Sequence, residues 1–121
     1  MSPAAKSILV FAAYITILGA VLVIVPNPLL VLFGFAPTDE VWIRIVGMLL
    51  LCLGYYYVDA ARREVASFFR ATVLGRACVV ACLIGFVVLG LAPPPLLAFA
   101  AIDLGGLAWT ALALRGGGGR G

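Results

Sequence analysis

The chain has 121 residues, of which 65% are hydrophobic and 11% charged, with eight Lys and Arg against five Asp and Glu and a formal net charge of +3. A soluble domain is about 45–50% apolar and about 25% charged, and so few charges cannot cover the surface that a domain of this size exposes. That balance, with a mean hydropathy of +1.24, argues against a soluble enzyme, a nucleic-acid module, a disordered chain and a disulfide scaffold, and implies one domain integral to a membrane.

Ile8 to Val25 is the first uncharged apolar run, eighteen residues long. It makes about 27 Å of helix, close to the hydrocarbon thickness. It is longer than a signal-peptide core and no A-x-A site follows it, so it reads as a transmembrane helix. Pro26-Asn27-Pro28 ends it, because proline breaks the helical ladder. Leu29 to Phe35 is too short to span and reads as an interfacial or partly re-entrant segment, with Phe33 and Phe35 near the headgroups. Ala36 to Glu40 forms a turn in which Thr38 or Asp39 caps the next helix.

The second span covers residues 41–61, with Arg44 near its start and Asp59 near its end. Val65, Phe68 and Phe69 recur at helical spacing between Arg63 and Arg70, the pattern of a short interfacial helix. The third span covers 72–92 with Arg76 in its first turns, and Pro93-Pro94-Pro95 makes a stiff connection. The fourth covers 96–114 and carries Asp103, and residues 116–121 read as a flexible glycine-rich tail. The expected fold is all-α: a membrane-spanning four-helix bundle with short loops over residues 1–115.

Positive residues near the span ends set the orientation. Lys6, Arg62, Arg63, Arg70, Arg76, Arg115 and Arg120 fall on one side and Arg44 on the other. Both termini are therefore expected in the cytoplasm. Tyr55, Tyr56 and Tyr57 then lie toward the cytoplasmic interface and Trp42 toward the outer one.

Arg44, Asp59, Arg76 and Asp103 fall inside the spans. A charge at the bilayer centre costs about 2.5–3.5 kcal/mol on insertion scales, so such groups pair, face a cavity or snorkel. Depth along the helices suggests two interhelical ion pairs, Arg44–Asp103 outside and Asp59–Arg76 inside. The first either locks two helices together or forms a ligand or proton site around Asp103, the deepest ionisable group. Ala12, Thr16 and Ala20, and likewise Ala77, Ala81 and Gly85, are spaced by four and favour close helix packing. Arg44, Met48, Leu51, Tyr55 and Asp59 form one helical stripe, and Asp103, Gly106 and Thr110 another. Facing each other, these stripes would enclose a narrow seam to which Tyr55 and Thr110 bring hydroxyls, suited to a slim apolar ligand or lipid tail.

The chain contains no His, the commonest general base and metal ligand. Cys52, Cys78 and Cys82 lie in apolar runs without a C-x-x-C pair and read as small packing residues. No G-x-S-x-G, phosphate-binding glycine loop or H-E-x-x-H is present. No catalytic residue, metal or cofactor is expected, and the scattered basic residues form no nucleic-acid stripe.

Trp42-Ile43-Arg44-Ile45-Val46-Gly47, Gly54-Tyr55-Tyr56-Tyr57 with Ala60-Ala61-Arg62, Gly75-Arg76, and Asp103 with Trp109-Thr110 make a layout that resembles the small bacterial four-helix membrane proteins loosely grouped as DoxX-like. The resemblance covers most of the chain and implies a compact bundle in a bacterial inner membrane, without a defined reaction. Length and span count are also similar to the small multidrug resistance exporters. Those use a membrane-embedded Glu in the first helix, where this chain has only Tyr14 and Thr16, so Asp103 would have to substitute. The expected function is non-catalytic: an accessory or assembly subunit, or a self-associating bundle, contacting membrane lipid, a protein partner or a small apolar ligand. The alternatives are a proton-coupled transporter or channel using Asp103 and a lipid- or quinone-linked membrane enzyme.

Overall fold

The computed structural model describes residues 1–117. Helix α1 spans Pro3–Ile24, α2 Pro26–Leu32, α3 Trp42–Arg62, α4 Ala66–Val88 and α5 Leu97–Gly117, the last preceded by a single 3₁₀ turn at Pro94–Leu96. All of the regular structure in the described residues is helical, as expected. Four helices, Pro3–Ile24, Trp42–Arg62, Ala66–Val88 and Pro94–Gly116, are long and apolar enough to cross a membrane, so the chain has the make-up of a multi-pass membrane protein. Side chains such as Ile17, Leu74, Val88 and Leu112 stand on their outer surfaces, as lipid-facing residues do.

Local chemistry sets the helix limits. Ser2 accepts a hydrogen bond from the Ala5 amide at 3.1 Å and Pro3 occupies the first turn, so α1 begins five residues before the apolar run does. Pro26 stops α1 and opens α2, where its missing N–H costs nothing. The helix α3 starts at Val41 without a side-chain cap. Thr38, expected as a cap, instead accepts from the Glu40 amide at 3.1 Å, while its own amide donates to Asn27 at 2.9 Å. Helices α2, α3 and α4 all end in the same way, with one residue of positive φ, Gly34, Glu64 and Gly90 in turn. The amide after it reaches back five residues to Leu30, Ala60 and Phe86 respectively.

Two expectations about boundaries are corrected. Val65, Phe68 and Phe69 do not form a separate interfacial helix: Val65 leads directly into α4, and Phe69 is 2% exposed in a cluster with Ile8, Ala60 and Ala61. No breaker separates Phe69 from Thr72, and burial in the core outweighs the interface for this aromatic ring. The span therefore starts earlier and Arg76 is the eleventh of its 23 residues, near the middle of the helix. The expected tail begins within a helix, because α5 runs on through Gly116 and Gly117. Residues 118–121, including Arg120, lie outside the described residues.

Helix α1 is the centre of the fold. Helices α3 and α5 both pack against it, and α4 packs chiefly against α5. The α1–α3 contact is a seven-residue repeat of small residues, Ala5, Ala12 and Gly19 on α1 and Gly47, Gly54 and Ala61 on α3, all buried. A Cβ on Gly47 would lie 2.7 Å from the Gly19 carbonyl oxygen, and one on Gly19 equally close to the Gly47 oxygen. A Cβ on Gly54 would overlap the Thr16 hydroxyl, beside Ala12. Lipid offers no hydrophobic force between helices, so this close backbone approach supplies the association through dispersion. The spacing-by-four reading catches Ala12 and Thr16 but misses the repeat, and the expected Ala77–Ala81 face on α4 is exposed.

Two outcomes follow. Gly47→Leu should lower the unfolding free energy in detergent by about 1–3 kcal/mol, the range for an overpacked contact, whereas Gly75→Leu, with no atom within 4 Å of its Cβ position, should leave it unchanged. The second concerns Glu64, whose carboxylate accepts from the Ser2 amide at 2.9 Å and so ties the start of α1 to the α3–α4 turn. Hydrogen bonding from Ser2 holds this carboxyl below its usual range. A depressed folded value means that the tie is intact above the ordinary carboxylate range and is lost as pH falls through the folded value. The protection of the Ser2 amide relative to its intrinsic exchange rate should fall at that acid limb, and in Glu64→Ala it should be lost already at neutral pH.

Candidate functional site

Polar side chains gather where α1, α4 and α5 meet, from Arg76 at the middle of α4 toward the N-terminal end of α1. Arg76 of α4 is 3% exposed and Thr110 of α5 fully buried. The Arg76 Nε donates to the Thr72 carbonyl at 3.3 Å, and its Nη2 donates to the Thr72 hydroxyl at 3.2 Å and the Thr110 hydroxyl at 2.8 Å. Thr72 spends its own proton on the Phe69 carbonyl at 2.7 Å, and Ser7 spends its proton on the Ala4 carbonyl at 2.7 Å. Each hydroxyl has one proton to give. Across the 2.7 Å contact between Ser7 and Thr110, Thr110 must therefore be the donor. The chain of donation runs from Arg76 through Thr110 and Ser7 to the Ala4 carbonyl of α1.

The guanidinium is also held from above and below. Its central carbon lies 4.8 Å from the centre of the Phe11 ring. Its Nη1 sits against Gly106, where a Cβ would come within 3.1 Å of it. This nitrogen is buried and has no hydrogen-bond partner among the described residues. Burying a cation costs several kcal/mol unless every donor is met, so Nη1 is the one unmet demand in an otherwise satisfied cluster.

Asp103 lies one turn before Gly106 on α5, is 8% exposed, and does not form an ion pair with Arg76. Both residues face a groove of about 320 Å³ that draws lining from all four long helices, including Phe11 and Tyr14 of α1, Leu53 and Tyr57 of α3, and Phe99 of α5. The groove exists because α3 follows α1 rather than α5. Toward the far end of α1 it adjoins a wholly apolar pocket of about 240 Å³ beside α2, and Leu18, Leu50 and Phe99 line both spaces. Phe99 is held there by stacking on Phe33 at 4.3 Å between ring centres.

Of the residues singled out in the sequence, Asp103, Thr110 and Arg76 come together, and Arg44, Tyr55 and Asp59 do not join them. The Arg44–Asp103 pair is absent: Arg44 donates to the Val23 and Ile24 carbonyls at the end of α1. Those carbonyls lack intrahelical partners, and a cation at a helix C-terminus is favourable. The Asp59–Arg76 pair is absent too, since Asp59 meets Arg63 of its own helix at 3.0 Å on the surface and Arg76 is too deep in the bundle. Tyr55 points outward, 70% exposed, so the expected seam between its stripe and the Asp103 stripe does not form. Ser7, Phe11, Tyr14, Tyr57 and Thr72 belong to the site and were not anticipated. The four-residue spacing of Thr72 and Arg76 was the available signal, obscured by placing Arg76 at a helix end.

Thr110→Val should destabilise the protein by about 1–3 kcal/mol in a detergent unfolding titration, because it strands an Arg76 donor, and Thr110→Ser should recover most of the loss. Arg76→Met should be close to neutral in the same titration, since an apolar side chain of similar volume needs no partners. No family model, no curated protein and no solved structure matches this chain.

Proposed function

We propose that the protein binds a slim, largely apolar lipid-like molecule in the groove between α3 and the α4–α5 pair, and acts in the membrane through binding rather than catalysis. One observation carries this reading: a groove of about 320 Å³ near the middle of α1, α3 and α4 whose otherwise apolar and aromatic lining ends at Arg76 and Asp103. Ligand sites have this composition, apolar walls with few convergent polar groups, and begin at about this size. The adjoining pocket gives an acyl or isoprenoid-like chain a dry continuation past Leu18 and Phe99. A bundle of this kind suits an accessory or self-associating component that presents or stores such a molecule. The placing of both termini in the cytoplasm rests on the positive-residue bias of the sequence, and a bacterial inner membrane rests on the resemblance to small bacterial four-helix membrane proteins.

The test is what stays bound. Purified in mild detergent and extracted, the protein should release about one equivalent of a lipid-like molecule enriched over bulk membrane lipid. Leu53→Trp, which fills the groove from α3, should lose that molecule while keeping its unfolding midpoint. Equal retention by the two proteins would refute the groove as the site.

A further inference from the structure

Four cations meet at the end of the bundle where α1 and α4 begin and α3 and α5 finish. A buried apolar plug closes this end with Ala5 of α1, Ala61 of α3 and Phe69 of α4, and Leu114 of α5 packs against it. Lys6, Arg62, Arg70 and Arg115 each follow one of these four residues directly in sequence, and all four are exposed. The fold thus brings one cation from each long helix to the rim of a single plug. The acids at this end are engaged elsewhere, Asp59 with Arg63 at 3.0 Å and Glu64 with the Ser2 amide at 2.9 Å. Among the described residues none of the four rim cations meets a carboxylate. The opposite end has Asp39, Glu40 and Arg44, whose guanidinium is taken by the Val23 and Ile24 carbonyls.

We propose that this rim docks the anionic headgroups of membrane phospholipids. The cations stand one residue past the plug, where the helices leave hydrocarbon, and headgroup phosphates lie at that level. Each cation held near an anionic surface raises affinity for it about fivefold. A zwitterionic headgroup brings an ammonium with its phosphate and gains less. A small free anion lacks the acyl chains that keep a headgroup at this depth. An acidic protein would have to match four points on four helices, a fit that laterally diffusing headgroups do not need. The groove plays no part, since none of the four rim cations lines it. A ring of headgroups held in this way fixes the depth and tilt of the bundle and gathers anionic lipid around it.

The test is native mass spectrometry of the full chain, released from micelles that hold phosphatidylglycerol and phosphatidylcholine in equal amounts with the same acyl chains. The unaltered protein should carry the anionic lipid at least about fivefold over the zwitterionic one. Lys6→Gln, Arg62→Gln, Arg70→Gln and Arg115→Gln combined should bring that ratio to about one. Leu53→Trp, which fills the groove, should leave it unchanged. An even ratio on the unaltered protein would overturn the proposal, as would a preference that survives loss of all four cations. A preference lost in Leu53→Trp would put the anionic lipid in the groove, overturning the rim while sparing the groove reading. Should the combined variant fail to fold, two pairs decide: Lys6→Gln with Arg115→Gln, and Arg62→Gln with Arg70→Gln. Each pair should lower the ratio by at least about half, and an unchanged ratio in either would overturn the proposal.

Discussion

Close approach of the α1 and α3 backbones is the contact on which the arrangement of the other helices depends. Gly19 and Gly47 face each other with no room for a Cβ on either, and Gly54 admits the Thr16 hydroxyl. Such a seam is available to few residue types, so it fixes both partner and register. With α3 committed to α1, the α4–α5 pair takes the other side of α1, and apolar clusters close the two ends. Between those ends the helices are not drawn together, and the groove occupies the interval.

The polar cluster obeys a different constraint. No water in the hydrocarbon can meet a stray donor, so the protein must supply acceptors for a guanidinium at mid-helix. Two hydroxyls, the Thr72 carbonyl, the Phe11 ring and the backbone at Gly106 are arranged around Arg76 for that purpose. Because Thr72 and Ser7 spend their protons on carbonyls of their own helices, the direction of every bond in the network is determined. A network with one consistent direction also ties α1, α4 and α5 together, which the weakly packed, mostly lipid-facing surface of α4 does not do alone.

The proposed binding would draw on the overlap of these two constraints. The seam leaves a lateral opening, and the cluster leaves one nitrogen unmet at its edge. An apolar chain recovers little by leaving lipid for such a groove, since lipid is as apolar as the walls. In the proposed reading, selectivity therefore resides in the polar end, where hydrogen-bonding geometry discriminates far better than an added methylene does.

The four spans were legible from composition and apolar run length, because a helix that crosses hydrocarbon must be long and nearly uncharged. Proline positions gave the end of α1, and the second span was placed to within a residue. The start of α4 was not legible, since an aromatic pair beside two arginines suits an interface as well as a core. That single boundary put Arg76 at the wrong depth and led to the mistaken Asp59–Arg76 pair, whereas the Arg44–Asp103 pair failed because Arg44 turns to the carbonyls at the end of α1. Sequence by itself determined how often the chain crosses and which residues are too polar to be left in lipid. Only the tertiary structure decided which of them meet, because partner choice depends on helix order and rotation, and these follow from a small-residue seam that composition does not reveal.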